Sequence, residues 1–226
     1  MDPDVLDNLT QAAIPGWDLL LVLFVAITVL ICLAKQYRSM TALLSVQGVC
    51  LSILTFALGR FFKENHLMLA GGVNLLIKGG LIPYMLWRSL KRSGLELRKE
   101  EHFSNLQAGV WIGVMVMLAV FVTPTLVAAE SVVSNRTLQF GIAGVFLGLW
   151  LMVHRNYLYS QVVGLLLMEN SLYLTALALT LGMSPVVELG ILVDLFICIF
   201  VMGVLLERIR RLFDSTAIDQ LKRLRG

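Results

Sequence analysis

Residues 165–174 read LLLMENSLYL, a leucine run with a glutamate, Glu169, in its middle. Apolar sequence continues on both sides, from about 157 to 181, and a helix needs about 20 such residues to cross a bilayer core. A carboxyl group at the centre of that helix has no bulk water to receive it. It must face a bundle interior, a water-filled path or a partner protein.

The rest of the chain agrees with a membrane setting. Of 226 residues, 58% are hydrophobic and 15% charged, against about 45–50% and about 25% in ordinary soluble domains. The excess covers the whole length, which predicts an all-α, polytopic membrane helix bundle rather than a soluble domain with an anchor. Seven apolar runs stand out, at 17–34, 40–59, 66–87, 107–129, 138–153, 157–181 and 186–207. None alternates with period two, so a β-barrel is excluded. The opening MDPDVLDNLT has three aspartates and no basic residue. It lacks the positive stretch of a signal peptide, so the first run is expected to stay in the mature chain.

The basic residues set the topology. With faces alternating from the acidic N-terminus, one side receives Lys35, Arg38, Arg88, Lys91, Arg92, Arg98, Lys99, Arg155, Arg208, Arg210, Arg211, Lys222, Arg223 and Arg225. The other receives Arg60, Lys63 and Arg136. Fourteen against three is the asymmetry of the positive-inside rule. It predicts an outer N-terminus and a cytoplasmic C-terminus. The connecting segments are short. The longest, 87–105, is too small for a soluble catalytic module and is read as a solvated connector or a docking surface. In the tail, Thr216 and Asp219 have capping-box spacing before an apolar edge of Ile218, Leu221 and Leu224. A short cytoplasmic helix is expected there.

Several chemistries are excluded. Cys32, Cys50 and Cys198 are scattered in apolar runs with no paired cysteine or neighbouring histidine, so they read as small core residues. Clustered metal ligands are missing, as are a glycine-rich dinucleotide motif and a P-loop. No cofactor is expected. The net charge of +3 is no sign of nucleic acid, because the basic residues sit between spans. The NxT triplets at Asn8 and Asn135 read as chance matches.

What remains is polar sequence inside the spans. Glu169 is central in span six, Asp194 is near the middle of span seven, Lys78 is near the middle of span three, and Gln47 is in the inner half of span two. Three ionisable groups at such positions cost roughly 8–10 kcal/mol before pairing, as much as a typical domain's whole stability. Inward-facing neighbours are expected. Gln161, Glu169 and Tyr173 share a stripe, Asn170 adjoins it, and Asn74 precedes Lys78 by one turn. A low-dielectric setting disfavours charged forms, so groups of this kind can exchange protons near neutral pH. The alternatives are a buried ion pair that only fixes packing, and a substrate or lipid site. Span three also contains KGGLIP (78–83), where Pro83 has no N–H for the carbonyl of Gly79; a kink or loosening just after Lys78 follows.

A faint repeat is visible. AKQYRSMTALLSVQGVC (34–50) and VHRNYLYSQVVGLLLMEN (153–170) each join a basic turn, a tyrosine and an apolar helix with a central polar group. Each precedes a span with a central charge, Lys78 or Asp194. The expected organisation is a single membrane domain over 1–226: a three-helix unit at 17–106, a linking helix at 107–137, and a second three-helix unit with its cytoplasmic tail at 138–226.

At HRNYLYSQVVGLLLMEN the chain resembles the K-type subunit of respiratory complex I and the C-type subunit of Mrp cation/proton antiporters. Gly164 and Asn170 match that family's second helix. The family's glutamate position is Leu166, and Glu169 stands one turn later. Asp194 falls near the family's second buried glutamate, and LKRLRG is similar to its terminal segment. The longer form, with MEN in span six and a lysine in span three, resembles the hydrogenase-4 component E family of membrane-bound [NiFe]-hydrogenases. The resemblance covers most of the chain. It implies antiporter-like partner subunits, the inner (plasma) membrane of a prokaryote, and a lateral proton path through Glu169, Asp194 and Lys78. The displaced glutamate and the aspartate in place of a glutamate mean that the family's site geometry does not transfer.

The sequence thus points to a non-catalytic, proton-conducting membrane subunit of a complex I-like oxidoreductase, with Glu169, Asp194, Lys78 and Gln47 on the path and Asn74, Gln161, Asn170 and Tyr173 supporting it. A stand-alone seven-helix ion transporter and a purely structural assembly subunit are the competing classes.

Overall fold

The computed structural model describes residues 16–93, 105–126, 135–155, 157–180, 199–200 and 203–204. The helices are α1 (Trp17–Leu33), α2 (Tyr37–Phe62), α3 (Asn65–Leu76), α4 (Ile82–Ser93), α5 (Asn105–Leu126), α6 (Asn135–His154) and α7 (Leu158–Thr180), with a π-helical turn, Ile77–Leu81, between α3 and α4. Across that turn α3 and α4 form one span, Asn65–Lys91; with α2, α5, α6 and α7 this makes five helices long and apolar enough to cross a membrane among the described residues. α1 is a shorter apolar helix of 17 residues. The protein is an all-α, multi-pass membrane bundle. The proposed seventh span and its Asp194, the 87–105 connector beyond Ser93, the Asn8 triplet and the C-terminal tail lie outside the described residues, apart from the helical residues 199–200 and 203–204.

Helix ends differ from the apolar runs in a consistent way. α2 starts at Tyr37 rather than 40, and α6 starts at Asn135 rather than 138. Backbone hydrogen bonding continues into polar residues such as Arg38 and Arg136, whereas an apolar run records only the stretch that lipid or core demands. α2 ends with Lys63 in the left-handed region (φ 57°), its N–H donating to the carbonyl of Gly59, and α3 begins at Asn65. That tight turn folds α2 and α3 into an antiparallel hairpin.

Two hairpins, α2–α3 and α6–α7, carry the most extensive packing. Both close where side chains are small. On α2, Gly48, Ser52, Thr55 and Gly59 recur at helical spacing and are buried. A Cβ on Gly48 would stand 2.7 Å from the carbonyl oxygen of Lys78, so only glycine lets the π-turn backbone come this near. On α6 and α7, Gly148 and Gly164 each lie against the other's carbonyl, with Cβ distances of 2.9 and 3.1 Å. With no water to drive association, such close backbone contact is what holds helices together in lipid. Ser52, Thr55, Ser171 and Thr175 bond back to the carbonyl four residues earlier, so the seams hide no unsatisfied hydroxyl.

The interior has two main apolar clusters. One gathers Ile31, Met40, Leu44, Leu86, Leu151 and Leu167; the other gathers Phe24, Leu51, Leu54, Leu67, Leu174 and Leu177. Along α2, α7 and the span containing α3 and α4, the central polar residues fall between the two. Outward, Leu69, Leu76, Met117 and Phe121 are exposed, a surface that would be a liability in water and is ordinary in lipid.

Candidate functional site

Lys78 sits in the π turn. Pro83 cannot give an N–H to the carbonyl of Gly79, and the helix answers the defect by widening: Ile82 N–H bonds to Ile77, five residues back. The Gly79 carbonyl takes a hydrogen bond from Ser45 of α2 instead, at 2.6 Å. The loosening expected after Lys78 therefore encloses it.

From this turn the Lys78 ammonium reaches α7. Nζ donates to Glu169 Oε1 at 2.5 Å, and the two side chains are 2% and 11% exposed. Nζ also lies 4.7 Å from the centre of the Tyr173 ring, one helical turn beyond Glu169, where the ring's negative face favours a cation. Glu169 Oε2 is buried and has no hydrogen-bond partner among the described residues. One carboxylate oxygen is thus committed to the lysine, and the other has no such partner among the described residues.

Next to the pair runs a chain of amides. Asn170 Nδ2 donates to Gln47 Oε1 at 3.2 Å; Gln47 Nε2 donates to Thr28 Oγ1 at 2.8 Å; Thr28 Oγ1 donates to the carbonyl of Phe24 at 2.8 Å. Gln47 is fully buried, as is Asn74, one turn before Lys78. The chain links α7, α2 and α1 and ends on a backbone carbonyl. Its geometry anchors three helices around the pair.

Lys78, Glu169, Tyr173, Gln47 and Asn170 are therefore brought together, with Asn74 one turn before Lys78 on its helix. Gln161 is not part of this group. It lies about two turns below Glu169, and its Nε2 donates to the carbonyl of Arg155 at 3.0 Å. Asp194 lies outside the described residues.

Arg155 is the structural surprise. Counted from sequence as a loop charge, it is buried, and its Nη2 donates to the carbonyls of Cys32 and Ala34 at 3.1 and 3.0 Å. α1 has no basic residue in its last turn, so the α6–α7 turn supplies the cation that its C-terminal carbonyls favour. Alongside, Tyr37 packs on Tyr159 and Tyr157 at centroid distances of 5.0 and 6.4 Å, and Thr41 is hydrogen-bonded to Tyr159. The two tyrosine-bearing turns that look alike in sequence are packed against each other. Only that likeness hinted at it.

Fold and site define a class: a multi-pass all-α membrane protein with an ion pair buried between two of its helices. Comparisons find relatives of the chain. The chain is 29% identical over 199 residues to the uncharacterized protein Rv0085 of Mycobacterium tuberculosis, covering 88% of this chain and 90% of the relative. It is 22% identical over 192 residues to hydrogenase-4 component E of Escherichia coli, covering 85% and 89%. The distant likeness to hydrogenase-4 component E thus extends over most of both chains. No family model matches, and no solved structure does.

Proposed function

We propose that this chain is a non-catalytic membrane subunit of a hydrogenase-like assembly related to respiratory complex I, and that the Lys78–Glu169 pair is a station on a lateral proton path through it. The observation that carries the reading is the pair itself: an ammonium and a carboxylate in contact inside the membrane, with one carboxylate oxygen uncommitted. The similarity to hydrogenase-4 component E supports the assembly.

The chemistry follows from charge balance. A proton arriving at Glu169 Oε2 neutralises the carboxylate. Lys78 then passes its own proton onward, and transfer of the Glu169 proton to Lys78 restores the pair. The π turn and Ser45 hold Lys78 in reach, Tyr173 steadies the cation, and Gln47 and Asn170 fix the helices around it. Asp194 is the proposed next acid. Redox chemistry in partner subunits would drive the cycle by changing which form is favoured, with antiporter-like subunits continuing the path. The proposed setting is the inner membrane of a prokaryote, with the N-terminus outside.

The test is Glu169→Gln in the assembled complex. Membrane vesicles are followed for redox turnover and for acidification with a pH-sensitive dye, and assembly is checked by copurification of the large subunits. The expected result is normal assembly with protons pumped per electron sharply reduced. Full pumping efficiency in an assembled Glu169→Gln complex removes the conduction role. A second reading, a purely structural subunit, is favoured by the fact that the same pair ties the π turn to α7. It predicts lost assembly and intact pumping in whatever complex still forms.

A further inference from the structure

We propose that the groove between α4 and residues 199–200 and 203–204 binds an anionic phospholipid, with the phosphate on Arg88 and an acyl chain along the apolar walls. The groove holds about 200 Å³. Met85, Phe200 and Val204 form its sides, Ser89 and Gly203 belong to its lining, and Arg88 is the charged residue among its described lining residues. A Cβ built on Gly203 would stand 3.5 Å from Ser89 Oγ, an ordinary contact, so a side chain at 203 would extend into the groove without a clash. Ile199, which also lines the groove, is buried in the same apolar cluster as Leu86 and Leu90, which fixes the far wall against α4.

Its depth in the bilayer points to the occupant. Arg88 is ten residues beyond Lys78. At about 1.5 Å per residue this is about 15 Å, half of a hydrocarbon core about 30 Å thick. With the Lys78–Glu169 pair central, Arg88 stands at headgroup level. Trp87 marks the same level, with the Lys91 ammonium 3.7 Å from its ring centre. Below lies apolar wall, above lie Arg88 and Lys91, and Arg92 follows in sequence. That is the charge and polarity profile of a lipid with a bare negative phosphate. Arg88 is thus the charge that the described lining offers a headgroup, and a negative phosphate complements it. An apolar partner helix would fit the walls but would not use Arg88.

A photoreactive diazirine phenylalanine is placed at Phe200 of the full chain in native membranes, and its adducts are identified by mass spectrometry. The same probe at Val114, on an outward face in the same leaflet, reports bulk lipid. Enrichment of phosphatidylglycerol or another anionic phospholipid at 200 over 114 is expected. Arg88→Gln should reduce that enrichment about fivefold, the effect of one basic residue at a membrane surface, while Arg88→Lys retains most of it. Gly203→Leu, which fills the groove and leaves Arg88 in place, should lower the anionic adduct at 200. Equal lipid composition at both positions, enrichment indifferent to Arg88→Gln, or a polypeptide adduct at 200 each overturns the proposal.

Discussion

The ion pair can be tested as a thermodynamic object, apart from any role in conduction. Consider Glu169→Leu, Lys78→Met and the double variant. Removing one partner of a buried pair costs about 3–5 kcal/mol, because the other charge is left without compensation; replacing both by apolar residues of similar volume is close to neutral. Here the contact is 2.5 Å and the side chains are 2% and 11% exposed, so solvent screening offers little relief to the partner that stays. Tyr173, 4.7 Å from Nζ, softens the loss of Glu169 by about 1–2 kcal/mol. Each single variant should therefore lose about 3 kcal/mol, and the double should return to within about 1 kcal/mol of the parent. Reversible unfolding of the full chain in bicelles, followed by circular dichroism against denaturant, gives all four corners of the cycle. If the double variant loses the sum of the two singles, the groups are independent and the pair does not contribute as described.

Three further outcomes follow from the geometry. Gly48→Ala drives a Cβ to within 2.7 Å of the Lys78 carbonyl; it should destabilise the chain by about 1–3 kcal/mol in the same assay and weaken the coupling between Lys78 and Glu169. Ser45→Ala removes the hydrogen bond to the Gly79 carbonyl and should cost about 1 kcal/mol. Pro83→Ala, which restores a backbone N–H, should make that loss smaller, and a cycle over the two positions measures it. Arg155→Ala strips two carbonyls at the end of α1 of their donor; it should cost about 2–3 kcal/mol and speed hydrogen exchange in the turn at 34–36, whereas Lys91→Ala, at an exposed position, should do neither.

Much of the bundle was legible in the chain because lipid imposes a coarse rule. A spanning segment must be helical and apolar over about 20 residues, so the described spans fall within a few residues of their apolar runs. The cost of central charges was equally legible, and it singled out Lys78 and Glu169 as residues needing company. Pro83 announced a defect, since a missing N–H is a property of the residue and not of its surroundings. The reach of a charge is different. Gln161 shares a stripe with Glu169 on paper yet serves the turn at Arg155, because two helical turns separate them and a nearer carbonyl was available. Arg155 itself counted as a surface cation, since nothing local to it reveals the carbonyls of α1.

Sequence alone therefore determined that the chain is a helical membrane bundle, where its described spans run to within a few residues, and which polar residues carry an energetic burden that something must relieve. Which groups relieve it was decided by tertiary packing. Lys78 could have met Asp194 as readily as Glu169 on any reading of spacing. The choice of Glu169 among the described residues rests on Gly48 admitting the π turn against α2, on Ser45 holding its carbonyl, and on the place of α7 beside α2. Those are distances between helices far apart in the chain, and helical periodicity fixes only which face a residue occupies, never which neighbour that face will meet.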